Sequence, residues 1–408
     1  ARLLLGADKV TESRELLEGV IEDHPTFADA HYYHALACVK QENPADAKKS
    51  LLKAVEHKPG NLEARMLLAT IYLGGKSPDL ALEQLKAVGR KAPDNYQVHL
   101  MMGNAYLMKR DARRAQKAYQ EAIRIDSTRP EAHYQLATLF KAQGRYDKAI
   151  DRLDKVLEFT PDHLQAAIAK ASAYVSKEEP AQALAFLDDR LRYYTNNENA
   201  SAILYETKAQ IYLAEEDYQK AEQALKEALE IAPNRLKPYL TLAQIYSNTD
   251  DTDKAISQYE TILGRQPEFL QGWVALGTLY ESQGKQTQAQ EAFEKALEID
   301  PDFAPAANNV AWMLLEKGED INRAFELAKK AKSQLPDSPR VADTLGRAML
   351  AKGLYPSAAA ELSDAAKNMP GNPDILYYLG LAYSKMGETE KALEALEEAI
   401  NTDTPFSK

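Results

Sequence analysis

The sequence has little of several features that mark common protein classes. Cys38 is the only cysteine among 408 residues, which excludes an internal disulfide and leaves the compartment open, because reduced cytosol and cysteine-poor envelope proteins both fit. No run of about 18 apolar residues occurs, so the sequence predicts no membrane-spanning helix. The chain lacks an initiator methionine and a signal peptide, and the repeat described below places Ala1 eight positions inside a unit; from this interrupted unit we expect that a longer parent was trimmed.

Motifs of common enzyme classes are also missing. The sequence contains no Walker-type or dinucleotide glycine loop, no G-x-S-x-G and no H-E-x-x-H. Acidic pairs such as Asp188-Asp189 occur, but adjacent residues on a helix point in different directions. We therefore expect a protein that is not an enzyme and uses no cofactor.

Positive charge is in short supply. A formal net charge of -11 argues against nucleic acid or an anionic membrane as the main partner, since both demand a positive field. One basic run, KRDARRAQK from Lys109 to Lys117, is the exception, and we interpret it as a solvated outer helix face, with a docking patch as the alternative. The remaining composition, 45% hydrophobic and 27% charged, is that of a chain that folds.

What the sequence does have is a period of 34 residues. The spacing departs from 34 by four extra residues before Pro233 and one before Pro336. A fixed period of this length indicates one supersecondary unit copied many times, in which each copy buries its apolar face against its neighbours. The position that recurs with this period is proline in most copies and Ser or Thr in the others: Pro25, Pro59, Pro93, Ser127, Pro161, Thr195, Pro233, Pro267, Pro301, Pro336, Pro370 and Thr404.

The unit 270–303 shows what each copy contains. Helical spacing places four residues on one stripe of a first helix that we expect to end near Gly284: Trp273, Leu276, Gly277 and Tyr280. A second helix follows and ends before the proline. The pattern W-x2-L-G-x2-Y, then A-x3-F-x2-A and P, resembles the tetratricopeptide repeat family.

This resemblance implies an all-α fold, a right-handed α-α superhelix with one partial and eleven full repeats. The partial unit runs to Phe27, and the full units are expected to start at Ala28, Leu62, Tyr96, Pro130, Leu164, Ala202, Leu236, Leu270, Ala304, Pro339 and Pro373. At the eighth position of each full unit no residue is larger than alanine, and the twentieth is alanine except in the unit from Ala304, where one extra residue moves the alanine to the twenty-first. Closely packed helix pairs require such small residues.

One segment, FLDDRLRYYTNNENAS, departs from the pattern. Arg190 stands where other copies have a small or aliphatic residue, and four residues are inserted around Asn196–Ser201. We interpret it as a loosened joint between an N-terminal stack, residues 1–201, and a C-terminal stack, residues 202–408. A longer surface loop with unbroken stacking is the alternative.

The strongest metal-like group is His31, His34 and Cys38, which share one helix face and would suit zinc. They occupy the fourth, seventh and eleventh positions of their unit, which pack against the partner helix. We therefore predict packing and no metal site, with a metal-linked role as the alternative.

The resemblance also implies where a partner binds. First helices of this family line a concave wall, chiefly through their fifth and ninth positions. In the first five full units these positions give an apolar to neutral wall: Tyr32, Leu36, Met66, Thr70, Leu100, Asn104, Tyr134, Thr138, Ile168 and Ser172. Farther along the wall becomes polar, and Asn308 and Trp312 complete the predicted site. The Lys and Asn set with which some members bind chaperone tails is missing.

We therefore predict a noncatalytic scaffold that binds a protein or an extended peptide, without nucleic acid and without inserting into a membrane. A self-associating assembly module is the alternative. The stretch NNVAWMLLEKGEDINRAFELAKKA from Asn308 is similar to the closing repeats of bacterial tetratricopeptide proteins of exopolysaccharide and exosortase systems. That resemblance departs at Arg347, where tryptophan is usual, and it favours the bacterial periplasm or cell envelope over the cytoplasm.

Overall fold

The computed structural model describes residues 1–402, so Thr404 lies outside the described residues. Over this range the chain forms 24 α-helices and no β-strand, which confirms the all-α prediction. Among the same residues, no helix is both long enough and apolar enough to cross a bilayer.

The helices are α1 Arg2–Gly6, α2 Val10–Asp23, α3 Ala28–Lys40, α4 Pro44–His57, α5 Leu62–Gly74, α6 Pro78–Lys91, α7 Tyr96–Met108, α8 Ala112–Ile125, α9 Pro130–Ala142, α10 Tyr146–Phe159, α11 Leu164–Ser176, α12 Pro180–Leu191, α13 Glu198–Ala214, α14 Tyr218–Ile231, α15 Leu236–Asn248, α16 Thr252–Arg265, α17 Leu270–Ser282, α18 Gln286–Ile299, α19 Ala304–Lys317, α20 Ile321–Gln334, α21 Pro339–Ala351, α22 Tyr355–Asn368, α23 Pro373–Met386 and α24 Thr389–Ile400.

The chain divides into two compact units, Ala1–Glu215 with α1 to α13 and Glu216–Lys408 with α14 to α24. Within each unit most first helices pack on the second helix that follows them, and that second helix packs on the next first helix. Successive first helices also contact one another, as α5 and α7, α9 and α11, and α19 and α21 do. Each unit is therefore a stack of helix pairs.

The repeat register predicted from the sequence is confirmed almost throughout. First helices begin at the predicted residue in every full unit except one, from α3 at Ala28 to α23 at Pro373. The exception is α13, which begins at Glu198 and not at Ala202. The four inserted residues therefore add one turn to this helix, which has 17 residues where most first helices have 13.

A tight turn joins the first and second helices of a 34-residue repeat. Gly284, where we expect a first helix to end, has φ +72°, and Gly144, Gly318, Gly353 and Gly387 also lie in the left-handed region. In other units a polar or charged residue takes this conformation, for example Glu42 with φ 56° and Arg110 with φ 58°. A left-handed residue ends the first helix and turns the chain back onto it.

In the core of each repeat, small residues at the eighth and twentieth positions lie where the two helices meet. Alanine at the twentieth position is fully buried in most copies, for example Ala47, Ala149 and Ala289, each 0% exposed. The residue at the eighth position faces the twenty-fourth, which is usually leucine and is a fully buried aromatic ring at Tyr119 and Phe293. Small residues let the helices approach closely, as the sequence predicts.

The departing segment is ordered in the structure. Arg190 is 7% exposed; its guanidinium lies 3.9 Å from the centre of the Tyr193 ring and donates to the carbonyl of Pro161. The side chain of Asn197 caps α13 by accepting from Ala200 N at 3.0 Å. The predicted joint between residues 190 and 201, and the stacks 1–201 and 202–408, stay predictions.

Candidate functional site

The fifth position of the first helices places a row of side chains along one side of unit Ala1–Glu215. With the ninth position it forms what we call the first-helix face. Tyr32, Met66, Tyr134 and Ile168 are half-buried, each packing one flank on the core beneath and leaving the other accessible. Leu100 is only 8% exposed and belongs to the core.

Each polar side chain at the ninth position makes a hydrogen bond within the chain. Thr70 and Thr138 each donate to the carbonyl four residues earlier, at 3.1 and 3.0 Å. Asn104 accepts from the hydroxyl of Tyr119 at 2.8 Å, and Ser172 accepts from a lysine of α9 at 2.6 Å. With these groups satisfied, the accessible apolar flanks dominate what this face offers a partner.

Two aromatic rings of this face are held by neighbours. Tyr134 stacks on His163 with ring centres 5.3 Å apart and planes 25° apart. Tyr32 lies 5.3 Å from the ring of Tyr33, and burial raises the pKa of its hydroxyl, with Glu63 adding to the shift. Rings fixed in this way lose little conformational entropy when a partner packs on them.

The predicted polar wall of unit Glu216–Lys408 contains a buried ion pair. Arg347 is 8% exposed, and its Nε donates to Asp343 Oδ1 at 2.8 Å. Glu316 lies 3.4 Å from its Nη1, and the Tyr378 ring centre is 4.1 Å from the guanidinium. Burial raises the pKa of Asp343 even though Arg347 opposes that shift. Next to the pair is a cavity of about 300 Å³ that Lys385 also lines.

Asn308 and Trp312, the other predicted residues of this wall, are both half-buried. Trp312 packs on the core of α19 and its neighbours. Asn308 Oδ1 is buried and accepts no hydrogen bond from any residue in the described range.

His31, His34 and Cys38 are 7%, 8% and 0% exposed. His31 Nε2 lies 2.7 Å from the carbonyl of Pro25, and His34 Nδ1 lies 2.8 Å from Ser50 Oγ. Cys38 is fully buried, and burial raises the pKa of its thiol. Residues 1–402 contain no group of three or more His, Cys, Asp or Glu side chains placed to hold a metal ion.

A second kind of site was missed by sequence reasoning. Crevices open between successive second helices, above the fourth, seventh or eleventh residue of the first helix between them. Three of them repeat the same arrangement: α2 and α4 over α3, α8 and α10 over α9, and α16 and α18 over α17, with volumes of about 320, 410 and 460 Å³. The sequence feature that could have indicated them is the variation in charge between copies at positions 19, 22, 23 and 25 of the repeat.

Comparison with known proteins shows some distant relatives. The human protein named O-mannosyl-transferase TMTC3 is 23% identical over 265 residues, 55% of this chain and 28% of that protein. The DnaJ homolog subfamily C member 3 of Gallus gallus is 23% identical over 283 residues, 58% of this chain and 55% of that protein. The chain therefore spans less than two thirds of the length of either relative.

Some solved structures also match parts of this chain or most of it, with low TM-scores. One of the MamA protein matches with a TM-score of 0.39 and 22% identity over 41% of this chain and 91% of that one. The APC/C hetero-tetramer Cut9-Hcn1 matches with a TM-score of 0.41 and 19% identity over 99% of this chain and 79% of that one.

Models of the tetratricopeptide repeat match most of the sequence. The matched segments are residues 1–47, 39–105, 106–172, 141–204, 212–277, 270–303 and 349–405. The matched segment 270–303 contains one helix pair of the structure, α17 and α18. The chain belongs to the tetratricopeptide repeat family.

Proposed function

We propose that this chain is a noncatalytic scaffold whose first-helix face, between Tyr32 and Ser172, binds a protein segment in extended form. The observation that carries the proposal is the row of half-exposed apolar and aromatic side chains at the fifth position. Family membership supports it, because a stack of helix pairs offers a long surface for recognition rather than one enclosed pocket.

The chemistry of the row favours a peptide with apolar side chains. Tyr32, Met66, Tyr134 and Ile168 are neutral. The polar side chains at the ninth position each already make a hydrogen bond within the chain. Tyrosine supplies a rigid ring, and methionine adapts to side chains of different shape. A partner that buries these flanks gains free energy in proportion to the apolar area covered.

The experiment starts from a phage-displayed library of random linear peptides selected on the whole chain. The affinity of a selected peptide is then measured by fluorescence anisotropy on the wild type and on the combined variant Tyr32→Gln, Met66→Gln and Tyr134→Gln. Glutamine keeps an uncharged side chain at each position and replaces the aromatic ring or the thioether by a polar amide. We expect the Kd to rise at least about tenfold, since aromatic anchors dominate interface energy.

A matched control carries the same kind of change on second helices. Leu52, Leu80 and Phe159 are 45%, 45% and 38% exposed and lie away from the first-helix face. The combined variant Leu52→Gln, Leu80→Gln and Phe159→Gln should leave the Kd within about twofold of the wild type. Both variants should retain the wild-type helical circular dichroism. Equal loss in both, or no loss in the first, would contradict the proposed location.

The cellular setting that we propose is a bacterial cell-envelope assembly for polysaccharide or secretion. Its support is the likeness of the stretch from Asn308 to closing repeats of proteins from such systems. Fractionation of the source organism tests it: the chain should appear with periplasmic or envelope marker proteins, and recovery with cytoplasmic markers alone would overturn it.

Self-association is a second candidate. Large apolar side chains are exposed on helices near both ends of the described range: Leu3 at 89%, Leu16 at 50%, Leu393 at 55% and Ile400 at 76%. Exposed apolar side chains of this kind are a common basis for association. Solution scattering over a concentration series separates the candidates, because the radius of gyration of a self-associating chain grows with concentration.

A further inference from the structure

One of the crevices between second helices differs from the others in charge. It lies between α8 and α10, and we call it the α8–α10 crevice. Its volume is about 410 Å³. Leu136 and Phe140 of α9 form an apolar floor with Ile123 of α8, and Gln116 and Gln120 border one side with amide groups. The volume and the floor suit an inserted apolar side chain.

The opposite border of the α8–α10 crevice is basic. Arg145, Lys148 and Arg152 line it, with Asp151 as the single acid. Within the described range, none of these three cations forms an ion pair with a carboxylate. Three cations beside an apolar floor leave positive charge unneutralised at the mouth of the crevice.

Arg145 is held in place by neutral groups, and no carboxylate among the described residues neutralises its charge. Its Nη1 donates to the side-chain oxygens of Gln116 and Gln143, both at 3.2 Å. The guanidinium lies over the ring of Phe140, 4.4 Å from the ring centre. A guanidinium that is already oriented by neutral groups is prepared to bind a carboxylate from a partner.

The surroundings extend the positive field. Arg113 and Lys117 are exposed on α8, three residues before Gln116 and Gln120 respectively, and neither forms an ion pair with another described residue. Residues 109–155 contain twelve basic and seven acidic side chains, a net charge of +5 in a chain whose net charge is -11. The basic run of the sequence therefore borders a crevice with a defined shape.

The equivalent crevices do not share this charge. Between α16 and α18 the lining contains Glu260 and Glu291 against Lys295, with Trp273 and Tyr280. Between α2 and α4 the lining has three basic and three acidic side chains. The shape thus comes from the repeat, whereas the basic character belongs to the α8–α10 crevice.

We propose that the α8–α10 crevice is a second docking site, on the opposite side of the helix pairs from the first-helix face, for an acidic peptide segment. An apolar side chain of the segment contacts Leu136 and Ile123, and flanking carboxylates pair with Arg145, Lys148 and Arg152. The apolar floor favours a peptide over nucleic acid, and the acidic remainder of the chain repels a long polyanion.

The test uses a fluorescein-labelled synthetic peptide with one central phenylalanine flanked on each side by two glutamates. Its anisotropy is measured with the whole chain, in parallel with a peptide that has glutamine for glutamate and with single-stranded oligothymidylate. We expect the acidic peptide to bind and its affinity to fall as salt rises, because screening shortens the reach of exposed charges to about 8 Å at physiological ionic strength. Absence of binding by the glutamine peptide would support a role for the carboxylates. Equal binding of the two peptides would contradict it.

The decisive variant is Lys148→Glu with Arg152→Glu, which should weaken binding of the acidic peptide at least about tenfold. Its matched control is Lys86→Glu with Lys91→Glu, the same change in charge on exposed residues of α6 outside this crevice, which should weaken binding by less than about threefold. A second variant, Gln120→Trp, fills the crevice without changing charge and should also weaken binding.

Three further results would overturn the proposal. These are an equal loss in the control, no loss with Lys148→Glu and Arg152→Glu, or tighter binding of oligothymidylate than of the peptide. The proposal does not depend on the first-helix face, because the combined variant Tyr32→Gln, Met66→Gln and Tyr134→Gln should bind the acidic peptide as the wild type does.

Discussion

The ring of Tyr119 packs directly on the backbone of Gly103, so closely that a methyl group at residue 103 would overlap it. The two residues hold α7 and α8 together, and Tyr119 is fully buried. Gly103→Ala should therefore destabilise this helix pair by about 1–3 kcal/mol, since overpacking forces the ring or the backbone to move. Hydrogen–deuterium exchange of α7 and α8 amides measures the change locally, which suits a repeat protein whose units open separately.

Two further variants make this test specific. Elsewhere alanine at the eighth position is combined with leucine at the twenty-fourth, as with Ala35 and Leu51 in one core cluster. Gly103→Ala with Tyr119→Leu should therefore cost less than the sum of the single changes. Gly89→Ala is the control, because its Cβ would meet Val98 at an ordinary 3.6 Å and alanine favours the helix. Equal exchange in Gly103→Ala and the wild type would show that the contact has no energetic role.

The buried pair of Arg347 and Asp343 leads to a second prediction. Their side chains are 8% and 13% exposed, so Arg347→Ala leaves a carboxylate with little water and no cation beside it. We expect a loss of about 3–5 kcal/mol in the free energy of unfolding of this unit. Tryptophan fluorescence during urea unfolding reports it, because both tryptophans, Trp273 and Trp312, lie in the same unit.

Removing both charges should be milder than removing one. Arg347→Met with Asp343→Leu replaces the ion pair by apolar groups and should recover most of the stability lost by Arg347→Ala. Arg340→Ala, at an exposed residue of the same helix, should change stability by less than about 0.5 kcal/mol. If Arg347→Ala behaved like Arg340→Ala, the pair would be dispensable for the fold.

Helix starts could be predicted from the sequence because proline, the small eighth residue and the twentieth alanine recur at one spacing. The start of α13 was missed, since four inserted residues can form either a loop or another helical turn and the sequence alone does not decide. The burial of Arg190 depends on Pro161, 29 residues away, which no local pattern reveals.

The candidate site was predictable only in part. The fifth positions Tyr32, Met66, Tyr134 and Ile168 are half-buried, but Leu100 at the same position is in the core, because exposure depends on how neighbouring helices pack. The crevices between second helices were missed because each forms only where two neighbouring 34-residue repeats pack together. Their lining residues come from both units and show no shared motif.

Glu281 gives a prediction about pH. Burial raises the pKa of its carboxyl above the ordinary value of 4.5. The folded chain therefore holds this proton more tightly than the unfolded chain, and wild-type stability falls as pH rises through the interval between the two pKa values. Glu281→Gln removes this dependence and should gain stability over the wild type as pH rises from about 4.3 towards neutrality.

The measurement is urea unfolding followed by tryptophan fluorescence at several pH values. Glu268→Gln, at an exposed residue of the same unit, supplies the baseline for losing a surface carboxylate. A constant offset between Glu281→Gln and the wild type across the pH range would rule out a shifted pKa of the half-buried carboxyl at this position.

The extra turn of α13 can be tested through its cap. Asn197 accepts a hydrogen bond from Ala200 N at 3.0 Å, whereas the neighbouring Asn196 is exposed and makes no hydrogen bond with any described residue. Asn197→Ala should cost about 1 kcal/mol and speed hydrogen exchange of Ser201 and Ala202 amides, and Asn196→Ala should change neither. Fast exchange at these amides already in the wild type would instead mean that the inserted residues are unwound in solution, as a loosened joint requires.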